Sequence, residues 1–323
     1  MYKNFFGLTR SPFDISPDPY FLFPTPRHNE ALASIVHGVL RRKGFMVLTG
    51  EVGTGKTLMV RCLMELLRMR GVASANVFNP GLRSREFLLY IIGDLGMKAA
   101  SPDNKGSLLL QLYSYLIARQ RANQTTVLIV DEAHKMSIEL LEETRLLTNL
   151  ETAQQKLLQI VLVGQPELDQ KMDSPELRQL KQRITLRCQL QPLQEAETRA
   201  YILRRLQRSG ANSQAPMIFP VPVISAVHNY SQGIPRLINT ICENALIAAY
   251  ARQSKTVSED MIDEVAKDLR LPVSSRALAV DSVTATNQQK LVKSLQECVD
   301  VLDRVARGSF AQPRKSEIET KVV

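Results

Sequence analysis

Along the first 190 residues, short unbroken apolar runs alternate with longer segments in which apolar positions recur every three or four residues. The runs lie at 45–49, 73–78, 126–130, 157–163 and 184–190, and their length and turn-rich borders predict buried strands. Between them, 28–40 carries Ala31, Leu32, Ile35, Val36 and Val39, and 56–70 carries Met59, Val60, Leu63, Leu66 and Leu67. This spacing predicts amphipathic helices, and 85–95, 107–121, 137–152 and 175–182 are predicted helices too. Five strands alternating with helices predict an α/β fold with a parallel sheet covered on both faces.

Beyond residue 192 the strand signal stops. Predicted helices at 195–209, 221–230, 235–253 and 258–268 make a smaller, all-helical domain. The expected organisation is therefore an α/β domain over 28–192 and a helical domain over 193–270. Residues 1–27 are too rich in proline for a helix yet apolar enough to pack, through Phe5, Phe6, Phe13, Phe21 and Phe23. An ordered strap docked on the sheet domain is expected there, its aromatics needing no ligand. Residues 271–323 are expected to form a mostly flexible tail with an amphipathic helix at 288–307. Its stripe of Leu291, Leu295, Cys298, Leu302 and Val305 is too short to argue for a coiled coil.

The decisive chemistry follows the first strand. Gly50, Glu51, Val52, Gly53, Thr54, Gly55, Lys56 and Thr57 satisfy the GxxxxGK[ST] pattern between a buried strand and an amphipathic helix, the context that pattern requires. Glycines let the loop curl with its amides inward, and the helix N-terminus adds unpaired N–H groups and the positive end of its dipole. Lys56 is then placed to neutralise β- and γ-phosphate charge, and the Thr57 hydroxyl to ligate Mg²⁺. Asp131 and Glu132 end the third strand, at the sheet edge where ligands of open α/β sheets bind. Asp131 is expected to hold Mg²⁺, and Glu132 to orient and polarise the attacking water. The cofactors implied are ATP and Mg²⁺. Asp131, Glu132, Ala133 and His134 also spell a helicase signature, but such enzymes need two consecutive α/β motor domains. His134 is read instead as a structural residue at a helix start.

Charge and cysteines add little. A balance of 41 Lys and Arg against 32 Asp and Glu gives +9, which suits an anionic partner such as nucleic acid or acidic lipid, or simply a solvated basic surface. Arg199, Arg204, Arg205 and Arg208 are read as such a solvated face. The four cysteines lack metal-ligand spacing. No stretch reaches the roughly 18 apolar residues of a membrane span, and a cytoplasmic protein is expected.

These residues resemble the AAA+ superfamily and, within it, the ExeA-like ATPases of general secretion pathways. The opening Met1, Tyr2, Phe5, Phe6, Gly7, Leu8, Pro12, Phe13, Pro17, Asp18, Pro19 and Phe21 is similar to that family's amino-terminal signature. The resemblance implies an AAA+ P-loop NTPase: a five-stranded sheet domain with a helical lid, assembling as a ring or filament with ATP between subunits. It places Gln165 at the sensor 1 position, near the γ-phosphate or attacking water. Arg183 resembles the arginine finger that reaches a neighbour's ATP, with Arg178 its nearest competitor. Gly233, Ile234, Pro235 and Arg236 resemble the sensor 2 motif, with Arg236 pointing at the γ-phosphate of its own subunit. The implied function is ATP hydrolysis that drives assembly or gating of an envelope export or surface-structure system, peripheral at the inner membrane through a partner. A DNA-binding ATPase of the transposition or replication-initiator type is the alternative, and an ATP-bound scaffold with negligible hydrolysis a third.

Overall fold

In the computed structural model, residues 1–272 are described apart from Pro17 and Asp103. The expected helix at 288–307 lies outside the described residues. Five strands, β1 (Phe45–Gly50), β2 (Ala73–Val77), β3 (Thr126–Val130), β4 (Leu158–Gly164) and β5 (Ile184–Leu190), form one all-parallel sheet in the order β2-β3-β4-β1-β5. β1 directly precedes β2 in sequence, yet β4 and β3 lie between them in the sheet. That crossover opens a crevice beyond the carboxyl ends of β1 and β3, where side chains from both can meet.

The apolar runs split by alternation into two cores. Phe45 and Val47 of β1, Leu128 and Val130 of β3, and Leu158, Ile160 and Leu162 of β4 pack on one face with the helices Ser84–Asp94, Lys105–Arg121 and Ile138–Leu147. Met46, Leu48, Val127, Ile129, Val161 and Val163 pack on the other with Pro26–Leu40 and Lys56–Met69. Two-sided burial is why these strands read as unbroken runs. Gln159, fully buried in β4, avoids the cost of an unpaired amide by accepting from Gly44 N–H at 2.8 Å and donating to Lys156 O at 3.2 Å.

Several elements depart from the sequence pattern. β5 is an edge strand whose Thr185, Arg187 and Gln189 are exposed, so the sheet is not covered on both faces there. The helix expected over 137–152 stops at Leu147, and an antiparallel bridge between Glu151 and Lys156 closes the turn into β4. A further helix at Glu167–Met172 follows β4 directly; at six residues it is too short to show a period in the sequence.

Glu195–Leu206, Val221–Ser231, Pro235–Ala251 and Glu259–Asp268 pack around a third core. Most of the strap joins this helical core and not the sheet: Phe6, Leu8 and Phe13 are buried in it, while Leu22 packs against the sheet-domain core. Phe13 meets Phe219 edge-on, Tyr2 Oη donates to Glu243 at 2.6 Å, and Thr9 N–H donates to Ser209 O at 2.8 Å. The expected docking partner is corrected accordingly. Proline-broken segments carry no period that names the surface they cover, so only the tertiary structure assigns it. Arg205 is corrected as well. It is 7% exposed, donates to the carbonyls of Pro12 and Asp14 and to Tyr201 Oη, and lies over the Phe21 ring at 4.6 Å. Of the four arginines expected on a solvated face, Arg205 and Arg208 both bolt strap to helical domain: Arg208 donates to Tyr20 O, and its own carbonyl accepts from Tyr20 Oη at 3.0 Å.

Candidate active site

β1 ends at Gly50, and the chain turns through Gly53 (φ +84°) and Gly55 (φ +98°) into the helix that starts at Lys56. Gly55 is the N-cap and brings no side-chain cap, so the first amides of that helix have no side-chain acceptor. Thr54 stiffens the loop, its hydroxyl donating to Glu51 O at 2.8 Å. The Lys56 ammonium curls back over the loop, 2.7 Å from Gly50 O and 2.9 Å from Glu51 O. Burial pushes its pKa down against the pull of Glu132 and Asp131. A desolvated cation beside a ring of amides is matched to a polyanion.

β3 delivers the acids to the same place. Asp131 stays within the sheet ladder through its N–H to Val77 O at 2.9 Å, and its Oδ2 accepts from Thr57 Oγ1 at 3.2 Å. Burial raises its carboxyl pKa. Glu132 takes left-handed backbone, φ +55°, which swings its carboxylate out of line with the strand. Lys135 Nζ holds that carboxylate at 3.0 Å, and His134 Nε2 stands 3.7 Å away. Gln165 follows β4, and its N–H donates to His134 Nδ1 at 3.4 Å. His134, expected to be structural, thus pins the Gln165 loop beside Glu132.

The helical domain closes the site from the other side. Arg236 N–H donates to Gly53 O at 3.3 Å, and a Cβ on Gly53 would stand 2.7 Å from Arg236 Cβ and 3.0 Å from Ile234 Cγ2. A side chain at Gly53 would therefore push this domain off the loop, a second reason for glycine besides phosphate approach. Between the two domains lies a cavity of about 550 Å³, lined by the glycine loop, Lys56, Thr57, Glu132, Gln165 and Arg236. Its lining omits Asp131, which reaches it through Thr57, and both Arg178 and Arg183. Arg183 Nη1 donates to Thr148 Oγ1 at 3.2 Å, and Arg178 is exposed on the helix Arg178–Lys181.

Residues 39–172 match the family model described as an AAA domain. General secretion pathway protein A of Aeromonas hydrophila is 44% identical over 257 residues, covering 80% of this chain and 46% of that protein. The chain belongs to the AAA+ ATPases. It spans about half the length of the curated relative it matches. Among solved structures, the Aeropyrum pernix ORC2 protein in its ADPNP–ADP complexes aligns with a TM-score of 0.57 and 16% identity, over 80% of this chain and 71% of that one. Cdc6p from Pyrobaculum aerophilum aligns with a TM-score of 0.57 and 17% identity, over 82% and 70%. The Aeropyrum pernix ORC1 protein in complex with DNA aligns equally well, at 0.57 and 16%, over 92% and 87%. At such identities these three establish the fold.

Sequence reasoning missed the far half of this AAA+ ATPase's cavity. Phe21, Leu22, Phe23 and Pro24 of the strap line it, opposite Tyr201, Arg205 and Asn239 of the helical domain. The strap aromatics, expected to pack in preference to stacking on adenine, both pack and face the cavity. His28 joins strap to loop, with Nδ1 2.6 Å from Thr25 Oγ1 and Nε2 3.3 Å from Thr54 O, and burial lowers its pKa. The signal available in the sequence is Thr25-Pro26 followed by His28, an N-cap and first turn, which the structure places at Pro26–Leu40.

Proposed function

We propose that this AAA+ ATPase binds MgATP in the cavity between sheet and lid and hydrolyses it to drive assembly or gating of a secretion or export system. The observation that carries the reading is convergence: five separate segments, at 50–57, 131–132, 165, 236 and the strap, close on one cavity. The glycine-loop amides and Lys56 take the phosphates, and the strap end of the cavity takes the nucleoside. Thr57 and Asp131 fit a hard divalent cation, since they bring a hydroxyl and a carboxylate within 3.2 Å of each other and burial leaves that carboxylate short of countercharge. When bound, Mg²⁺ supplies positive charge to the β- and γ-phosphoryl oxygens. Glu132 polarises the water, Gln165 fixes it or the γ-phosphate, and Arg236, anchored by its own N–H to Gly53, reports the γ-phosphate to the lid.

Arg183 acts across the interface of a homo-oligomer, on the neighbour's nucleotide. Its absence from the lining of its own cavity and its seat on Thr148 support this assignment. Arg183→Ala and Glu132→Gln should each lower turnover by about a hundredfold or more alone. Mixed in equal amounts they should recover about a quarter of the parental rate, because random assembly pairs an intact glutamate with an intact neighbouring arginine at that frequency. Steady-state phosphate release measures this. Absence of recovery rejects Arg183 as the finger, and recovery with Arg178→Ala in its place would assign Arg178.

The secretion partner is proposed from the 44% identity to general secretion pathway protein A, and with it a cytoplasmic position at the inner membrane through that partner. Among the described residues no helix is long and apolar enough to cross a membrane. The +9 balance favours a second reading, DNA binding, as in the ORC1 neighbour solved with DNA. Duplex affinity that is ATP-dependent and falls steeply between about 50 and 200 mM salt, by about 10³ or more for six phosphate contacts, would replace the secretion reading. No duplex binding at the lower salt is the result expected.

A further inference from the structure

At the lid wall of the cavity, three polar side chains form a directed chain. Arg205 Nη1 lies 2.6 Å from Tyr201 Oη, and Tyr201 Oη lies 2.9 Å from Asn239 Oδ1. A guanidinium carries donors only, so the tyrosine oxygen must accept from Arg205. Its single proton then goes to Asn239, which must present its carbonyl oxygen there. The opposite end of that amide, the NH₂ with two donors, has no protein partner among the described residues. Asn239 is nonetheless 93% buried, at 7% exposure, and its open side is the cavity. The amide nitrogen is not sealed off from solvent, so its two donors are free to meet a ligand or water in the cavity.

Position says which part of a ligand it meets. Asn239 sits three residues after Arg236 on Pro235–Ala251, so both share one helix face, with Arg236 over the glycine loop and Asn239 nearly a turn further along. Tyr201 links Asn239 to the strap: its ring meets Phe23 edge-on at 5.6 Å. The asparagine therefore belongs to the half of the cavity walled by Phe21, Phe23 and Pro24, away from the phosphate amides. Arg205 is itself fixed by the carbonyls of Pro12 and Asp14, so the amide orientation is set by the strap as well as by the lid.

We infer that Asn239 is a nucleotide-contacting residue of this ATPase, its NH₂ donating to an oxygen or ring-nitrogen acceptor on the nucleoside half, with Tyr201 and Arg205 as the positioning residues that aim it. The inference rests on the cavity being the nucleotide site and deepens that reading. Strap, lid and nucleoside then share one hydrogen-bonded chain, which makes an ordered strap a condition of tight nucleoside binding.

Isothermal titration of the full chain with ATP and with tripolyphosphate, both with Mg²⁺, provides the test. Asn239→Leu should weaken ATP about tenfold, the scale of one lost hydrogen bond with its partner left unpaired, and leave tripolyphosphate unchanged. Tyr201→Phe keeps the ring and loses the relay; it should weaken ATP by about threefold with the same selectivity. In turnover both variants should raise KM and hold kcat, because the contact is made equally in ground and transition states. Unchanged ATP affinity in Asn239→Leu, or an equal loss for ATP and tripolyphosphate, overturns the inference. A parent protein that binds ATP no more tightly than tripolyphosphate also overturns it while sparing the phosphate site. A parent that binds neither overturns the nucleotide reading with it.

Discussion

Glu132→Gln is expected to lower ATP turnover by about a hundredfold or more while leaving ATP affinity within about threefold of the parent. The amide keeps the size and the αL backbone of Glu132 but loses the charge that polarises water. It also loses the ion pair to Lys135 at 3.0 Å, which is half exposed and contributes at most about 1 kcal/mol. Binding is expected to be spared because the proposed phosphate ligands, the loop amides and Lys56, do not depend on the Glu132 carboxylate. Phosphate release and equilibrium nucleotide binding, measured on the same preparation, separate the two effects. Equal turnover in parent and variant would remove Glu132 from catalysis, and a parallel loss of binding would make it a ligand of the nucleotide instead.

Gly233→Ala is expected to cost the most stability of any single methyl added to the lid. Gly233 has φ +70°, where an L side chain is strained by about 1 kcal/mol or more. A Cβ there would also stand 2.0 Å from Leu193 O and 2.9 Å from Leu193 C. Those are backbone atoms, held by the Leu193 N–H bond to Gly233 O at 2.8 Å, so neither side can rotate away. This contact ties Leu193, at the start of the helical domain, to the turn before the helix that carries Arg236 and Asn239. We expect a loss of about 3 kcal/mol or more, read as a fall in Tm of roughly 6–12 °C. Gly96→Ala is the control: its φ is +80° and a Cβ there meets nothing within 4 Å, so only the backbone cost of about 1 kcal/mol applies. Equal shifts in the two variants would show that the Leu193 contact yields.

The same glycines govern how the site is assembled. Gly53 lies where sheet domain and lid touch, against Arg236, and Gly233 packs within the lid, against Leu193. Arg236 N–H on Gly53 O brings the lid within reach of the loop proposed to hold nucleotide, and on that proposal a change in phosphate content is expected to move the lid. In this AAA+ ATPase the strap is bolted to the lid core by Arg205 and Arg208, while Leu22 and His28 hold its far end to the sheet domain.

The strands, their order of appearance and the glycine loop are legible in the sequence because each is a local pattern. Val127 to Val130 reads as a strand because both its faces are buried, and GxxxxGK[ST] reads as a phosphate loop because consecutive backbone groups do the binding. Asp131 and Glu132 are legible by their place at a strand end. What the sequence leaves undetermined is what packs on what. Phe6, Phe13 and Phe21 announce burial but not the surface that buries them, and the structure seats Phe6 and Phe13 in the helical core. Arg205 shares its spacing with Arg199, Arg204 and Arg208, and only the fold shows it capped by strap carbonyls 193 and 191 residues earlier in the chain. Asn239 carries no motif at all. Its chemistry comes from a hydroxyl 38 residues away that turns its amide, a relation between distant parts of the chain that periodicity and local spacing cannot encode.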